Sequence, residues 1–275
     1  MRVLHVIILL VLLPLLSACA AVSVAGVMAS AGASAAVRAI DDQMQENALQ
    51  APQRQQVAEA NLDVAAELLR RGNYEGALER LNRAREADPR NSFVYSMLGL
   101  VYQRIGDTEQ AEKNFRRSLE LEGDRPENLN NYGQFLCQQG RADQAEKLFL
   151  EAAQDRLYQT PEIALTNAGL CAQRGSDIAK AKDYFNAALR ANPDASAALL
   201  ALSEIEFGKE NIPEAQKLFG RYLKVAPQTP RSLWLGIRLA DKLGDKDTEA
   251  SYKMLLRNKF PDSTEAGYLK GTKSS

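Results

Sequence analysis

An all-α chain built from repeated helix–turn–helix units is what the sequence predicts, and three observations predict it. First, Ala77, Ala111, Ala145, Ala181 and Ala215 recur at intervals of 34, 34, 36 and 34 residues, and a fixed period of that size marks stacked supersecondary units. Second, the surroundings recur: an apolar residue follows four positions after each alanine (Leu81, Phe115, Phe149, Phe185, Phe219), and prolines at 89, 193, 227 and 261 stand about twelve beyond the register. Third, each unit reads as two helical stripes parted by a short break. In the clearest unit, Tyr95, Leu98, Gly99 and Tyr102 share one stripe. Gly106-Asp107 then ends that helix and caps the next, which carries Ala111, Phe115 and Ser118 inward.

The units are 58–91, 92–125, 126–161, 162–195, 196–229 and 230–263. Gly99, Gly133 and Gly169 repeat a small first-helix position that lets two backbones approach while the phenyl group fills the space between units. Unit three is two residues longer, with 154–161 replacing the usual tight turn. Units five and six drift: Ser203 holds the glycine position in one and Ile237 in the other, with Gly236 one place early. Residues 264–275 form a C-terminal tail in which a short capping segment competes with fraying at Gly267 and beyond.

The pattern resembles the tetratricopeptide repeat, which implies a right-handed superhelix of about six repeats whose concave face is lined by first helices. The side chains expected there are Phe93, Ser96, Leu100, Gln103 and Arg104 in repeat two; Asn130, Asn131, Gln134 and Gln138 in repeat three; and Ile163, Thr166, Asn167, Leu170 and Arg174 in repeat four. Amides both donate to and accept from a peptide backbone, so this surface suits an extended protein segment. Asn131 and Asn167 share a repeat position and either form two rungs of an amide ladder or satisfy neighbouring helix ends. The Lys/Asn clamp for C-terminal carboxylates is absent, since Glu59 and Glu127 stand where it wants cations. Trp234 with Arg231 and Arg238 is either a second interface patch or packing for the last helix pair.

Residues 1–18 read as a signal peptide: Arg2, an apolar run from Val3 to Leu16 broken by His5 and Pro14, then small residues. Leu16-Ser17-Ala18-Cys19 resembles the bacterial lipobox. That implies cleavage before Cys19, its acylation and anchoring in a lipid bilayer; Ala20 in place of aspartate implies the outer membrane, facing the periplasm. The competing reading is a membrane-spanning helix running on through residues 20–37, although that stretch is much less lipophilic than the leucine-rich run before it. Residues 19–57 are then the lipidated N-terminus and tether, and 58–263 the repeats.

The chain's one histidine lies in the leader. With none in the mature part, His-based triads and the usual zinc sites are not expected. No glycine-rich phosphate loop, Gly-x-Ser-x-Gly or calcium loop occurs. Carboxylate pairs such as Glu109/Glu112 and Glu204/Glu206 read as solvated helix faces. No enzyme, cofactor or metal is expected. The formal charge of −1, with no basic stripe, points to no nucleic acid. Cys137 and Cys171 fall on first helices of adjacent repeats, which pack side by side in the tetratricopeptide fold, so an oxidising compartment favours a disulfide between them. Two separate buried thiols are the alternative.

The string Asn130-Asn131-Tyr132-Gly133-Gln134-Phe135-Leu136-Cys137-Gln138-Gln139-Gly140-Arg141, with Asn167-Ala168-Gly169-Leu170-Cys171 and the lipobox, resembles the type IV pilus biogenesis and stability lipoproteins, the PilF/PilW family. The resemblance implies a lipid-anchored pilotin for twitching motility. Its implied partners are the outer-membrane secretin of the pilus, which it helps to reach the membrane and multimerise, and other pilus assembly proteins. The competing role for such a lipoprotein is regulation of cell-wall synthesis or of outer-membrane protein assembly.

Overall fold

Six residues with left-handed backbone set the rhythm of the fold: Gly72, Gly106, Gly140, Ser176, Glu210 and Gly244 have φ between 62° and 86°. Each ends a helix in the one conformation that reverses the chain within two or three residues, and the next helix starts at once. The computed structural model describes residues 51–121, 125–269 and 271. The described residues form thirteen helices: α1 (51–70), then α2 (Tyr74–Ala87), α3 (Ser92–Ile105), α4 (Thr108–Leu121), α5 (Pro126–Gln138), α6 (Ala142–Gln154), α7 (Pro161–Arg174), α8 (Ile178–Ala191), α9 (Ser196–Gly208), α10 (Ile212–Val225), α11 (Pro230–Leu243), α12 (Lys246–Lys259) and α13 (Thr264–Leu269). The second helix of a pair is capped by the residue after the left-handed one in four pairs: Asn73, Asp107, Asp177 and Asp245 accept from the backbone N–H three positions on.

Ser176 and Glu210 hold this conformation with a Cβ that costs roughly 1–2 kcal/mol against a glycine. Ser176→Gly and Glu210→Gly should therefore each stabilise the chain, by about 1 kcal/mol, read as a higher urea midpoint at unchanged slope.

Each helix packs on the next one or two in the chain, as a quasi-one-dimensional stack does. First helices also touch first helices: α3 meets α5, α5 meets α7, α7 meets α9 and α9 meets α11. Among the described residues no two second helices bring their backbones that close; where they meet, as Glu146 of α6 meets Lys180 of α8, only long side chains bridge them. A stack closed on one side and splayed on the other must curve, with the first helices on the inner face.

The alanine ladder and the phenyl ladder make the core. Ala77, Ala111, Ala145, Ala181 and Ala215 are all fully buried, as are Phe115 and Phe185. A Cβ built on Gly99, Gly133 or Gly169 would stand 2.8, 2.7 or 2.6 Å from the ring of Phe115, Phe149 or Phe185, so these glycines seat the rings. In repeat five Ser203 takes the slot and donates its hydroxyl to the Ala215 carbonyl at 2.7 Å. In repeat six the close approach falls at Gly236, against Tyr252 and Phe219, rather than at Ile237. The register there slips by one because Tyr252, not Lys253, supplies the ring, while Glu249 fills the alanine position.

Helical structure already covers 51–57, which the sequence reading gave to the tether; a run of Gln, Arg and Ala favours helix, and Ala58 is fully buried just beyond. The long connection in repeat three is held by Tyr158, buried against Leu129, Ala152 and Ala164, while Leu157 beside it is 82% exposed. At the other end α13 caps the stack: Ala266 is fully buried and packs with Leu233, Ile237 and Leu256. No helix among the described residues is long and apolar enough to cross a membrane. Cys19 and the proposed leader lie outside the described residues.

Candidate functional site

The inner face carries a row of polar contacts between the first helices α3, α5 and α7. Asn131 Nδ2 donates to Ser96 Oγ at 3.1 Å, Asn167 Nδ2 to Asn130 Oδ1 at 2.8 Å, and Gln103 Nε2 to Gln138 Oε1 at 2.6 Å. Below them Asn128 Nδ2 donates to Ser92 Oγ at 3.0 Å, fully buried. Asn131 and Asn167 thus neither pair with each other nor cap helix ends: each stitches its own repeat to the previous one. Both asparagines are half-buried.

Not every residue expected on the inner face is presented there. Ser96 and Asn130 are buried, because the helices close over the hydrogen bonds these two accept. Thr166 is also buried, although it walls a cavity. Phe93 lies apart, beside Leu62, Asp63 and Arg90 in a cavity of about 530 Å³ at the N-terminal end of the face. Leu100 is half-buried and packs into the core clusters of repeats one to three, and Arg104 is exposed. What the fold does bring together is Gln134, Gln138, Asn167, Leu170 and Arg174, with Ile163 45% exposed further along.

These residues surround two adjoining cavities. One, about 150 Å³, has Gln134, Gln138 and Arg174 at its sides and Phe149, Cys137 and Cys171 as its floor. The other, about 290 Å³, lies between α7 and the start of α9; Ile163, Thr166, Ala195 and Ala197 wall it, and Glu162, Asn192, Asp194 and Ser196 border it. Asn167 and Leu170 line both and so form the partition. Cys137 and Cys171 are joined by a disulfide with Cα atoms 5.8 Å apart, tying α5 to α7 directly under the first cavity. Among the described residues no group of three or more His, Cys, Asp or Glu side chains is placed to hold a metal ion.

Tetratricopeptide repeat models match residues 96–159 and 174–234. The type IV pilus assembly protein PilF of Pseudomonas aeruginosa is 32% identical over 212 residues, which is 77% of this chain and 84% of that protein. The chain belongs to the PilF family. The solved structure of P. aeruginosa PilF superimposes with a TM-score of 0.67, over 80% of this chain and 99% of that one. The structure of PilW, described as a widely conserved type IV pilus biogenesis factor, gives 0.66 at 28% identity, over 78% and 99%.

This PilF-family chain is a tetratricopeptide superhelix, and its junctions are joined on the outer side as well. Glu112 takes Arg141 Nη1 at 2.7 Å and Arg116 Nη2 at 2.8 Å, with Tyr132 Oη donating at 3.3 Å. One repeat on, Glu146 takes Lys180 Nζ at 2.6 Å and the Tyr184 hydroxyl. Lys182 then reaches Glu206, which is 6% exposed and also accepts from Asn211 at 2.8 Å. Glu112, Glu204 and Glu206 are thus structural ion pairs rather than a solvated face, because each meets a cation of another repeat or of the turn beside it. Trp234 packs on Tyr268 of α13 with ring centroids 5.2 Å apart, Arg231 is paired with Glu204, and Arg238 lies 4.3 Å over the Phe207 ring. That trio serves the packing of the last two repeats and the cap.

Hydrogen bonds from Arg141 and Arg116 hold the Glu112 carboxyl down at about 2, against an ordinary 4.5. A carboxylate with a depressed folded value stabilises above its unfolded value and loses that contribution as pH falls through the folded one. Glu112 should therefore contribute about 2 kcal/mol at pH 7, after allowing for the exposed Arg116, and lose it between pH 4.5 and 2. Urea unfolding of Glu112→Gln against the parent should show the difference at pH 7 and its disappearance near pH 2.

Proposed function

We propose that this chain is a non-enzymatic assembly factor for type IV pilus biogenesis, anchored by an acylated Cys19 in the outer membrane and facing the periplasm. Its repeats hold a segment of the pilus secretin and promote delivery of that secretin to the outer membrane and its multimerisation. Membership of the PilF family supports the place in pilus biogenesis. The observation that carries the binding role is the pair of joined cavities on the inner face, bordered by Gln134, Gln138, Asn167 and Arg174 and floored by the disulfide. Side-chain amides on a rigid, preformed surface match the alternating donors and acceptors of an extended backbone.

Deletion of the gene should abolish heat-stable secretin multimers in outer-membrane fractions and surface pili with them. Wild-type levels of both would remove this reading. Replacing residues 1–19 with a leader that is cleaved without a lipidated cysteine should leave the protein soluble in the periplasm and lower the outer-membrane secretin; unaltered membrane association of that variant would dispose of the lipid anchor.

A further inference from the structure

The two joined cavities differ in chemistry, and the difference specifies what lies in them. On the α5 side the groups left over are donors. Gln138 has already accepted from Gln103 through its oxygen, so its two amide N–H groups have no partner among the described residues. Arg174, at the end of α7, is exposed and makes no ion pair among the described residues. On the α9 side Ile163, Leu170, Ala195 and Ala197 supply apolar walls, and the charged residues at the border, Glu162 and Asp194, are carboxylates that repel a second carboxylate there. Between the two stands Asn167, whose Nδ2 is engaged with Asn130 and whose oxygen is left as an acceptor.

In an extended chain, side chains two residues apart point to the same face about 6.5–7 Å from each other, with a backbone N–H between them. A segment crossing the Asn167–Leu170 partition therefore drops one side chain into each cavity and offers an N–H to the asparagine oxygen. We propose that this part of the groove recognises an internal, extended segment of the pattern carboxylate–any–aliphatic. The Asp or Glu side chain is held by Arg174 and Gln138, and the aliphatic one lies against Ile163, Leu170 and Ala197. The complementarity is one of charge and polarity: a guanidinium gains most from a carboxylate, with which it forms paired, charge-assisted hydrogen bonds. The volumes of about 150 and 290 Å³ suit one side chain each. This rests on the groove being a peptide site, as proposed above, and adds which peptide.

The test uses the mature chain and acetylated, amidated nonapeptides, so that no terminal carboxylate competes. The central triplets are Glu-Ser-Leu, Lys-Ser-Leu and Glu-Ser-Gly in a Gly/Ser frame, titrated by NMR with the Asn167 side-chain amide as reporter. The Glu-Ser-Leu peptide should bind at least fivefold more tightly than either of the others. Arg174→Glu should reverse the order of the Glu and Lys peptides. Ala197→Trp, on an exposed helix position, should cancel the preference for Leu over Gly and leave that for Glu over Lys. Equal affinities for the three peptides, no binding of any of them, or an Arg174→Glu protein with the parental order would overturn the proposal. If secretin multimers still depend on the gene in any of those cases, the pilus role stands and only this assignment falls.

Discussion

Replacing both Cys137 and Cys171 with alanine should lower the stability of the chain by about 3–4 kcal/mol. The closed loop spans 34 residues, and the chain-entropy relation gives a loss of that size when such a loop is opened in the unfolded state. The effect is large because of where the bond sits. It joins two first helices, α5 and α7, whose other side-chain bond among the described residues is the Asn130–Asn167 hydrogen bond, a contact worth only about 1 kcal/mol net. Both cysteines are buried, so alanine leaves small voids and no stranded polar atoms. Urea unfolding of parent and double variant, each with and without dithiothreitol, separates the terms. Reductant should bring the parent down to the variant and leave the variant unmoved. A loss below about 1 kcal/mol would mean that the reduced junction holds by itself. The cavity floored by the two sulfurs should loosen together with the junction.

Truncating Phe185 should cost as much or more. The ring is fully buried, seated on Gly169 and enclosed by repeats four and five. Phe185→Ala removes the filler between two units and should cost about 3–5 kcal/mol. Gly169→Ala attacks the same contact from the other side: its new Cβ would stand 2.6 Å from the ring, and the ring's own packing leaves it little room to move. Such overpacking costs about 1–3 kcal/mol. The two should be strongly non-additive, because once Phe185 is alanine there is nothing for the new methyl group to strike. In the Phe185→Ala background Gly169→Ala should cost less than 0.5 kcal/mol, or even stabilise α7 through helix propensity. Chemical denaturation of the four proteins in the cycle measures this coupling directly, and additive effects would show that ring and glycine are not in contact.

The fold was legible because its determinants are local and recur. Small residues at fixed spacing, a large apolar residue four positions after each alanine and a short break between the stripes fix two helices and their separation without reference to distant parts of the chain. Repeat six was harder: Gly236 and Tyr252 are each displaced by one from the register, and only their contact shows that the displacement is shared. The turn at Ser176 and Glu210 was hidden for the same reason, since residue type there does not announce the left-handed backbone.

The site was legible in outline only. Repeat position places a side chain on the inner face but does not say whether the next helix will close over it, and Ser96 and Asn130 were lost to burial in that way. The junction contacts did leave a signal. Glu112, Glu146 and Lys182 each stand one residue after a ladder alanine, and each reaches across a junction. Charge type varies from one to the next, which disguised the shared position as an ordinary solvated helix face. The disulfide, by contrast, needs only that two first helices lie side by side, which the repeat register already provides.

The groove's role turns on whether a secretin segment lies across α5 and α7 in the cell. A photocrosslinking amino acid at position 170, on the partition between the two cavities, answers this when introduced into the full lipidated chain at its native level. A matching probe at the exposed Met254 of α12 serves as control. Irradiation should yield a secretin adduct from position 170 and none from 254. Adducts from 170 to barrel-assembly or cell-wall enzymes in its place, or equal secretin adducts from both positions, would contradict it.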